Sequence, residues 1–194
     1  MLYRRTPSPY DPARLLSWRK MRALTFWKTI VMDKANFLEN FIGLLRAHGI
    51  RFCVIGGHAV NAYVEPVVTL DLDIVVAVDQ IEQVEALLAS HFQVKRFAHS
   101  INVSVPGSDL RVQIQTGPRY AGFVERASER EVLGIVLPVA SLEDTLQGKI
   151  WAVQDVSRRP SKRQKDLADI ARLLEAYPEL RERVPEDILK QLLV

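Results

Sequence analysis

A chain of 194 residues, 48% apolar and 25% charged, is long enough for one domain with a real core and ordinary for a globular protein. No apolar run approaches the ~18–20 residues of a membrane helix, and no N-terminal stretch has the form of a secretory signal. The single cysteine, Cys53, excludes an internal disulfide framework, and no Cys/His spacing matches a metal site, which together suit a reducing cytoplasm. The net charge of +3 is unevenly placed: residues 1–30 hold seven Lys and Arg against Asp11 alone, and the remainder is net acidic. With Pro7, Pro9 and Pro12 and little periodicity, residues 1–31 read as a basic, disordered extension. Two origins for it stand side by side: a reading frame that truly starts at Met32, or an arm that touches nucleic acid or a membrane surface.

Within that extension Arg22–Val31 fits a short helix. Lys34 to His48 carries Phe37, Phe41, Leu44 and Leu45 at helical spacing, with Gly49 as a C-cap. Arg51–Ile55 reads as a strand, Ala59–Val64 as a short helix after Gly56-Gly57, and Leu70–Val78 as a second strand. Asp79 to Glu82 has the form of a capping box opening a helix to His91. Strands follow near Gln93–Ala98, Ile101–Val105 and Leu110–Gln115, the last two joined by a turn at Pro106–Asp109. Glu131–Leu137 reads as one further strand. Ser141 to Asp144 is a second capping box for a helix reaching Asp155. Ser157–Arg163 reads as a basic loop, Lys165–Tyr177 as a helix, and Pro185–Leu193 as a last short helix. The order is a helix, a mixed β/α core and an all-α tail: an α/β (α+β) mixed sheet with flanking helices.

The chemistry concentrates in Val54–Val76. Gly56 and Gly57 can bring backbone N–H groups close to phosphates because no Cβ intervenes. Asp71 and Asp73, two apart on a strand, share one face, while Leu70, Leu72 and Ile74 point into a core. Paired carboxylates repel unless a cation lies between them, and Mg²⁺ takes such a pair together with substrate phosphates. Taken alone, a glycine pair is an ordinary tight turn and an aspartate pair a solvated strand edge. Their combination at this spacing points to a phosphate cradle beside a metal site.

Gly56, Gly57 and Ala59, then Thr69, Asp71 and Asp73, resemble the signature of the polymerase-β-type nucleotidyltransferases, closest to the small bacterial AbiEii-type toxin branch. Lys149 within Leu146–Ala152, and Lys165, Asp166 and Asp169, are similar to that branch's C-terminal signature; the resemblance spans Asp33–Glu175. It implies a nucleotidyltransferase core over 32–140 and a helical C-terminal subdomain over 141–194. It implies Mg²⁺ as cofactor on Asp71 and Asp73, and transfer of a nucleoside monophosphate from an NTP to a hydroxyl of RNA, protein or a small molecule. Gly56, Gly57, Thr69, Lys149 and Lys165 become nucleotide contacts, and His58, next to the glycines, can reach a phosphate or base or serve as a structural histidine. A cognate antitoxin becomes an expected partner, with no membrane involved.

Two positions depart from the family pattern. The third carboxylate expected on a later strand falls on Gln113, with Gln115 sharing its face; an amide cannot act as a general base and is a poorer Mg²⁺ ligand. Val67 stands where relatives often carry Arg. The alternative reading is therefore a catalytically degenerate relative that binds nucleotide or a partner protein, with Asp109 as the first substitute acid to consider. The basic run Arg158, Arg159, Lys162, Arg163 and Lys165 can grip RNA phosphates or simply be solvated. Trp18, Trp27 and Trp151 read as packing residues, since no basic patch interleaves them.

Overall fold

A computed structural model describes residues 37–69, 71–106 and 110–192. The expectations for the 1–31 extension with its Arg22–Val31 helix, for the turn residues 107–109 including Asp109, and for Trp18 and Trp27 lie outside these residues. The chain divides into two compact units, 1–42 and 43–194. A helix, α1, runs over 37–47. Phe37 and Phe41, one turn apart on it, hold their rings 6.2 Å apart. Gly49 follows at φ +62, and Ile50 N–H donates to Leu45 at 2.9 Å, the left-handed stop the sequence predicts.

Among the described residues seven strands form one sheet in the order β3-β4-β5-β2-β1-β7-β6. They are β1 (Phe52–Ile55), β2 (Asp71–Val76), β3 (Gln93–Arg96), β4 (Ser100–Ser104), β5 (Arg111–Gln115), β6 (Ser128–Val132) and β7 (Ile135–Val139). The β2/β5 and β1/β7 pairs are parallel and the others antiparallel. This mixed sheet with flanking helices is the fold the sequence predicts. Register puts Leu72, Ile74, Val112, Ile114, Ile101 and Val103 on one face, all with no exposed surface. Asp71, Asp73, Gln113 and Gln115 occupy the other face, half-buried.

Helix α2 spans Gly56–Asn61, so the glycine pair is its first turn rather than a loop before it. Helix α3 (Ile81–Ala89) starts without the predicted Asp79 cap: both Asp79 oxygens accept from Arg51, at 2.7 and 2.8 Å, and a 3₁₀ turn over Val78–Gln80 enters the helix. The cap at Ser141 does form; its Oγ accepts from Asp144 N–H at 3.1 Å and opens α4 (Leu142–Gln154). Helix α5 (Pro160–Ala176) begins earlier than expected because Pro160 takes the first helical position, where its missing N–H costs nothing. Much of the predicted basic loop is thus helical. After a 3₁₀ stretch over Pro178–Arg183, α6 (Glu186–Leu189) ends the regular structure.

The C-terminal helices bury their own cluster. Leu146, Ile150 and Val153 of α4 meet Leu167, Ile170, Leu173 and Leu174 of α5, with Leu180, Val184 and Ile188, and Val60 of α2 joins them. That last contact ties the glycine-led helix to the helical tail. A second cluster joins Cys53, Ile55 and Val75 of the sheet to Tyr120, Phe123 and Trp151. Burial, then the charge of Asp144, pushes the Cys53 thiol up to about 12, so it is an inert core group.

The segment predicted as one strand over 131–137 is a hairpin of two. Leu133 and Gly134 turn it with φ of +55 and +78. Two-residue turns with both φ positive favour Asn-Gly, and a leucine there is strained. Leu133 is 56% exposed, so its side chain gains little from burial. Leu133→Asn should therefore raise stability by up to about 1 kcal/mol, while Ser141→Ala should lose about 1 kcal/mol with the cap. Chemical denaturation of both variants tests the pair; a Leu133→Asn variant less stable than the parent would assign that side chain a packing or functional role.

Candidate functional site

The polar sheet face and the C-terminal helices enclose a cleft of about 120 Å³. Asp71, Asp73, Gln113 and Gln115 form its floor, and Gly56 and Ile55 one edge. Tyr120, Phe123, Asp144, Lys149, Arg158, Lys162 and Asp166 form its walls. The predicted carboxylate pair, Gly56, Gln113 and Lys149 thus come together from four separate elements.

Register explains the floor. Ile55, the last residue of β1, pairs with Asp73, so the chain turns into α2 directly beside that carboxylate. Gly56 makes this turn at φ +69, and a Cβ there would lie 3.0 Å from Asp73 Cβ and 3.1 Å from its Cγ. Glycine is required twice, for the backbone angle and for the space the carboxylate fills. Gly57 faces elsewhere: its Cβ would meet Thr69 Oγ1 at 3.3 Å. It seats Thr69 against α2 and is not among the cleft-lining residues.

Burial first, and then the nearby charge of Asp71, raises the Asp73 carboxyl to about 6, against the lowering effects of Lys149, Lys162 and Arg158. Its charged form is thus disfavoured in the folded chain, which fits a residue set that gains from a bound cation. Two carboxylates with a neutral amide beside them meet the donor requirement of Mg²⁺ carried with phosphates, although the described residues contain no cluster of three or more acidic, His or Cys ligands. Gln113 lies directly across from Asp73 in the β2/β5 register; this is the residue that the sequence resemblance sets at a third-carboxylate position.

The cleft does hold another acid, Asp144, read from the sequence only as a helix-cap residue. Arg126 Nε and Nη2 donate to its two oxygens at 2.9 and 2.8 Å. Arg126 also lies over the Phe123 ring, 5.9 Å from its centre. Phe123 stacks on Trp151 at 5.8 Å, and Tyr120 meets both edge-on. Trp151 is a packing residue, as predicted. Both Asp144 oxygens are thus committed to a guanidinium. Asp109 lies outside the described residues.

Lys149 is buried, with Nζ 3.0 Å from Asp166 Oδ1 and 2.7 Å from Asp169 Oδ2. Burial works against its charge, but Asp169 and Asp166 outweigh it and hold the ammonium above its usual range. Arg158 grips the other Asp166 oxygen at 2.7 Å, and Arg172 grips Asp169 at 2.8 Å. Lys149, Asp166 and Asp169 thus form one buried cluster that two arginines extend, whereas the sequence groups the two aspartates with Lys165. Lys165 stands apart from the cleft lining and donates to Thr69 Oγ1 at 3.4 Å.

His58 and Thr69 line a different cavity, with Asn61, Val67, Val68 and Leu133. His58 is buried, its Nε2 has no partner, and burial followed by the charge of Lys165 lowers its pKa to about 4. It is a neutral imidazole at pH 7.

The raised Asp73 sets a pH dependence. Its folded value exceeds the unfolded one, so the folded state binds the extra proton, and this contribution to stability is present below about pH 4 and lost as pH rises through about 6. Without divalent ions, Asp73→Asn should melt a few degrees above the parent at pH 7.5 and about level with it at pH 4, about 1 kcal/mol being worth ~2–4 °C in a chain of this size. Mg²⁺ should reverse the order at pH 7.5. Thermal melts at both pH values check this, and equal melting of parent and variant at pH 7.5 would contradict the strained carboxylate.

The AbiEii family model, described as nucleotidyl transferase AbiEii toxin of a type IV toxin–antitoxin system, matches residues 43–193. No curated protein matches the chain by sequence. Among solved structures, ANT(2")-Ia in complex with adenylyl-2"-tobramycin is 13% identical at a TM-score of 0.55, covering 78% of this chain and 98% of that one. The lincosamide antibiotic adenylyltransferase LnuA, lincomycin-bound, is 12% identical at a TM-score of 0.50, covering 70% and 95%. At such identities these two establish the fold. The family match covers more than three quarters of the sequence, and the chain belongs to the AbiEii nucleotidyltransferase toxin family.

Proposed function

We propose that this protein moves a nucleoside monophosphate from an NTP to a hydroxyl on RNA, protein or a small molecule, using Mg²⁺, as the toxin of a cytoplasmic toxin–antitoxin pair. The observation that supports this best is the floor of the cleft: two aspartates on one strand face, beside a glycine whose missing side chain makes room for one of them. Asp71 and Asp73 would hold the cation, which when bound would neutralise phosphate charge and polarise the reacting phosphorus. Gly56, at the start of α2, would offer its backbone to the phosphates. Lys149, Arg158 and Lys162 line the opposite wall, where the phosphate oxygens would lie. No helix among the described residues is long and apolar enough to cross a membrane.

A specific observation favours the second reading, a catalytically degenerate relative that binds nucleotide or a partner. Gln113 faces Asp73 where an acid would take the acceptor's proton, and Asp144 is tied to Arg126. General-base assistance is worth about 10²–10⁴ in rate, so its loss would slow transfer without removing nucleotide binding.

Incubation with Mg²⁺, each labelled NTP and total cellular RNA or protein separates the readings. Asp71→Asn with Asp73→Asn should abolish both label transfer and Mg²⁺-dependent NTP binding in a chain that still folds. Gln113→Asp should raise transfer by up to about 10²-fold, with Gln115→Asp doing less. NTP affinity unchanged in the double variant would refute the site. A parent already faster than Gln113→Asp would show that Gln113 occupies no vacant base position.

A further inference from the structure

Between α2 and β2 the chain runs through 62–69, with Glu65 to Val68 exposed. Tyr63 and Val64 N–H still bond to Val60 of the helix, at 3.0 and 3.1 Å. Further on, side chains hold the backbone. Asn61 clamps Val67 twice: its Nδ2 donates to the Val67 carbonyl at 2.7 Å, and its Oδ1 accepts from Val67 N–H at 3.0 Å. That same Oδ1 accepts from Arg172 Nη2 at 3.1 Å, and Arg172 Nη2 also donates to the Glu65 carbonyl.

Arg172 belongs to α5 and is itself oriented by Asp169, through Nη1 at 2.8 Å. Asp169 is held in turn by buried Lys149 of the cleft. Lys165, Asp169 and Arg172 fall at i, i+4 and i+7 of α5, one face of a helix. Lys165 reaches Thr69 at the far end of the same segment. One stripe of α5 thus holds the described segment after the glycine-led helix at Glu65 and at Thr69. Arg172 and Asn61 are absent from the cleft lining; Asn61 bears on the site through this segment, and Arg172 through it and through Asp169 to Lys149.

We propose that Arg172 and Asn61 are positioning residues: through the double clamp on Val67 and the bond to Glu65 they fix the path of 65–69 and so the placement of Thr69 and the Asp71 strand for nucleotide binding. The bonding pattern explains why each group is needed in its present form. The guanidinium serves a carboxylate, an amide oxygen and a backbone carbonyl at once, which a single ammonium on a flexible stem cannot reproduce. The Asn61 amide both donates and accepts, which neither Ala nor Asp can do at neutral pH. This role rests on the nucleotidyl-transfer reading of the cleft, but the clamp has a readout of its own.

Full-length parent, Asn61→Ala, Asn61→Asp, Arg172→Lys and the Asn61→Ala/Arg172→Lys pair should be compared by amide hydrogen exchange and by calorimetric titration with Mg²⁺ and each NTP. In Asn61→Ala the Val67 amide should exchange at least about 10-fold faster, with the inner amides of α4 and α5 unchanged. NTP binding should weaken by about 10–100-fold, the range for groups that orient a site from behind. Asn61→Asp keeps the bonds to Val67 N–H and Arg172 and should recover part of both losses. Arg172→Lys should weaken binding in the same direction, and the pair should lose less than the sum of its members, since the two side chains bond each other and hold one segment. Folded variants that bind NTP as the parent does would overturn the proposal. So would loss of protection spread evenly over α4 and α5, since the effect would then be global destabilisation. A parent that binds no NTP would overturn the transfer reading; Val67 exchange unchanged in Asn61→Ala would overturn the clamp whatever the nucleotide result.

Discussion

Lys149 between Asp166 and Asp169 is the constraint on which the C-terminal half of the cleft depends. All three side chains are nearly fully buried. A buried ion pair gains little over an apolar pair of the same volume, yet removing one partner costs about 3–5 kcal/mol, a large fraction of the ~5–15 kcal/mol that keeps a domain folded. The value of the arrangement is therefore geometric. The carboxylates bind Lys149 of α4 to α5, and their outer oxygens aim Arg158 toward the cleft and Arg172 toward the 62–69 segment. An apolar core alone, such as that of Leu146, Ile150, Leu167 and Ile170, would fix the distance between the helices but leave their register freer.

The sheet supplies the opposite kind of group. Asp73 is charged at a cost, because it is enclosed and has Asp71 beside it. Gly56 is what allows this: any side chain there would push the carboxylate away from the strand–helix junction or the junction away from the strand. A residue kept where its charge is unfavourable, in a cleft, is better explained by a ligand that repays the cost than by the fold alone. Gln113 sharpens the point. A third acid in the same register row would raise the Asp73 carboxyl further, whereas an amide does not.

Local features were readable from the sequence, and features made by register were not. Strand alternation around Leu72 and Ile74 was enough to put Asp71 and Asp73 on one face, and the downstream lysine and aspartates mark the helical wall. The Gly56–Asp73 contact needed the β1/β2 register, which no spacing reveals. His58 follows the glycines in sequence, but in a helix that starts at Gly56 successive residues point in different directions: a side chain at Gly57 would meet Thr69, and His58 lines the second cavity. The hairpin at Leu133-Gly134 was hidden because leucine is not a residue one expects at positive φ. The Asp79 cap failed because Arg51, 28 positions earlier, competes for the same carboxylate. Arg126 with Asp144, and Arg172 with Asn61, lie 18 and 111 residues apart, and periodicity says nothing about such pairs.

Charge placement follows from these contacts. Behind the cleft Arg172 balances Asp169, and at the cleft Lys149 and Arg158 stand against Asp166 and leave one positive charge on the helical wall, to which Lys162 adds another. Arg126 and Asp144 cancel. The floor keeps the charge of Asp71 and, above about pH 6, of Asp73. The cleft's own charges are thus close to balanced but strongly divided, negative on the sheet and positive on the helices. Such a field repels a bare triphosphate from the floor and draws it to the wall, and it draws a divalent cation to the floor and away from the wall. A nucleotide carried with its cation satisfies both surfaces at once, whereas either alone leaves one unsatisfied. Within a few ångströms and away from bulk water these terms are weakly screened, so under the proposed function binding of the two should be cooperative.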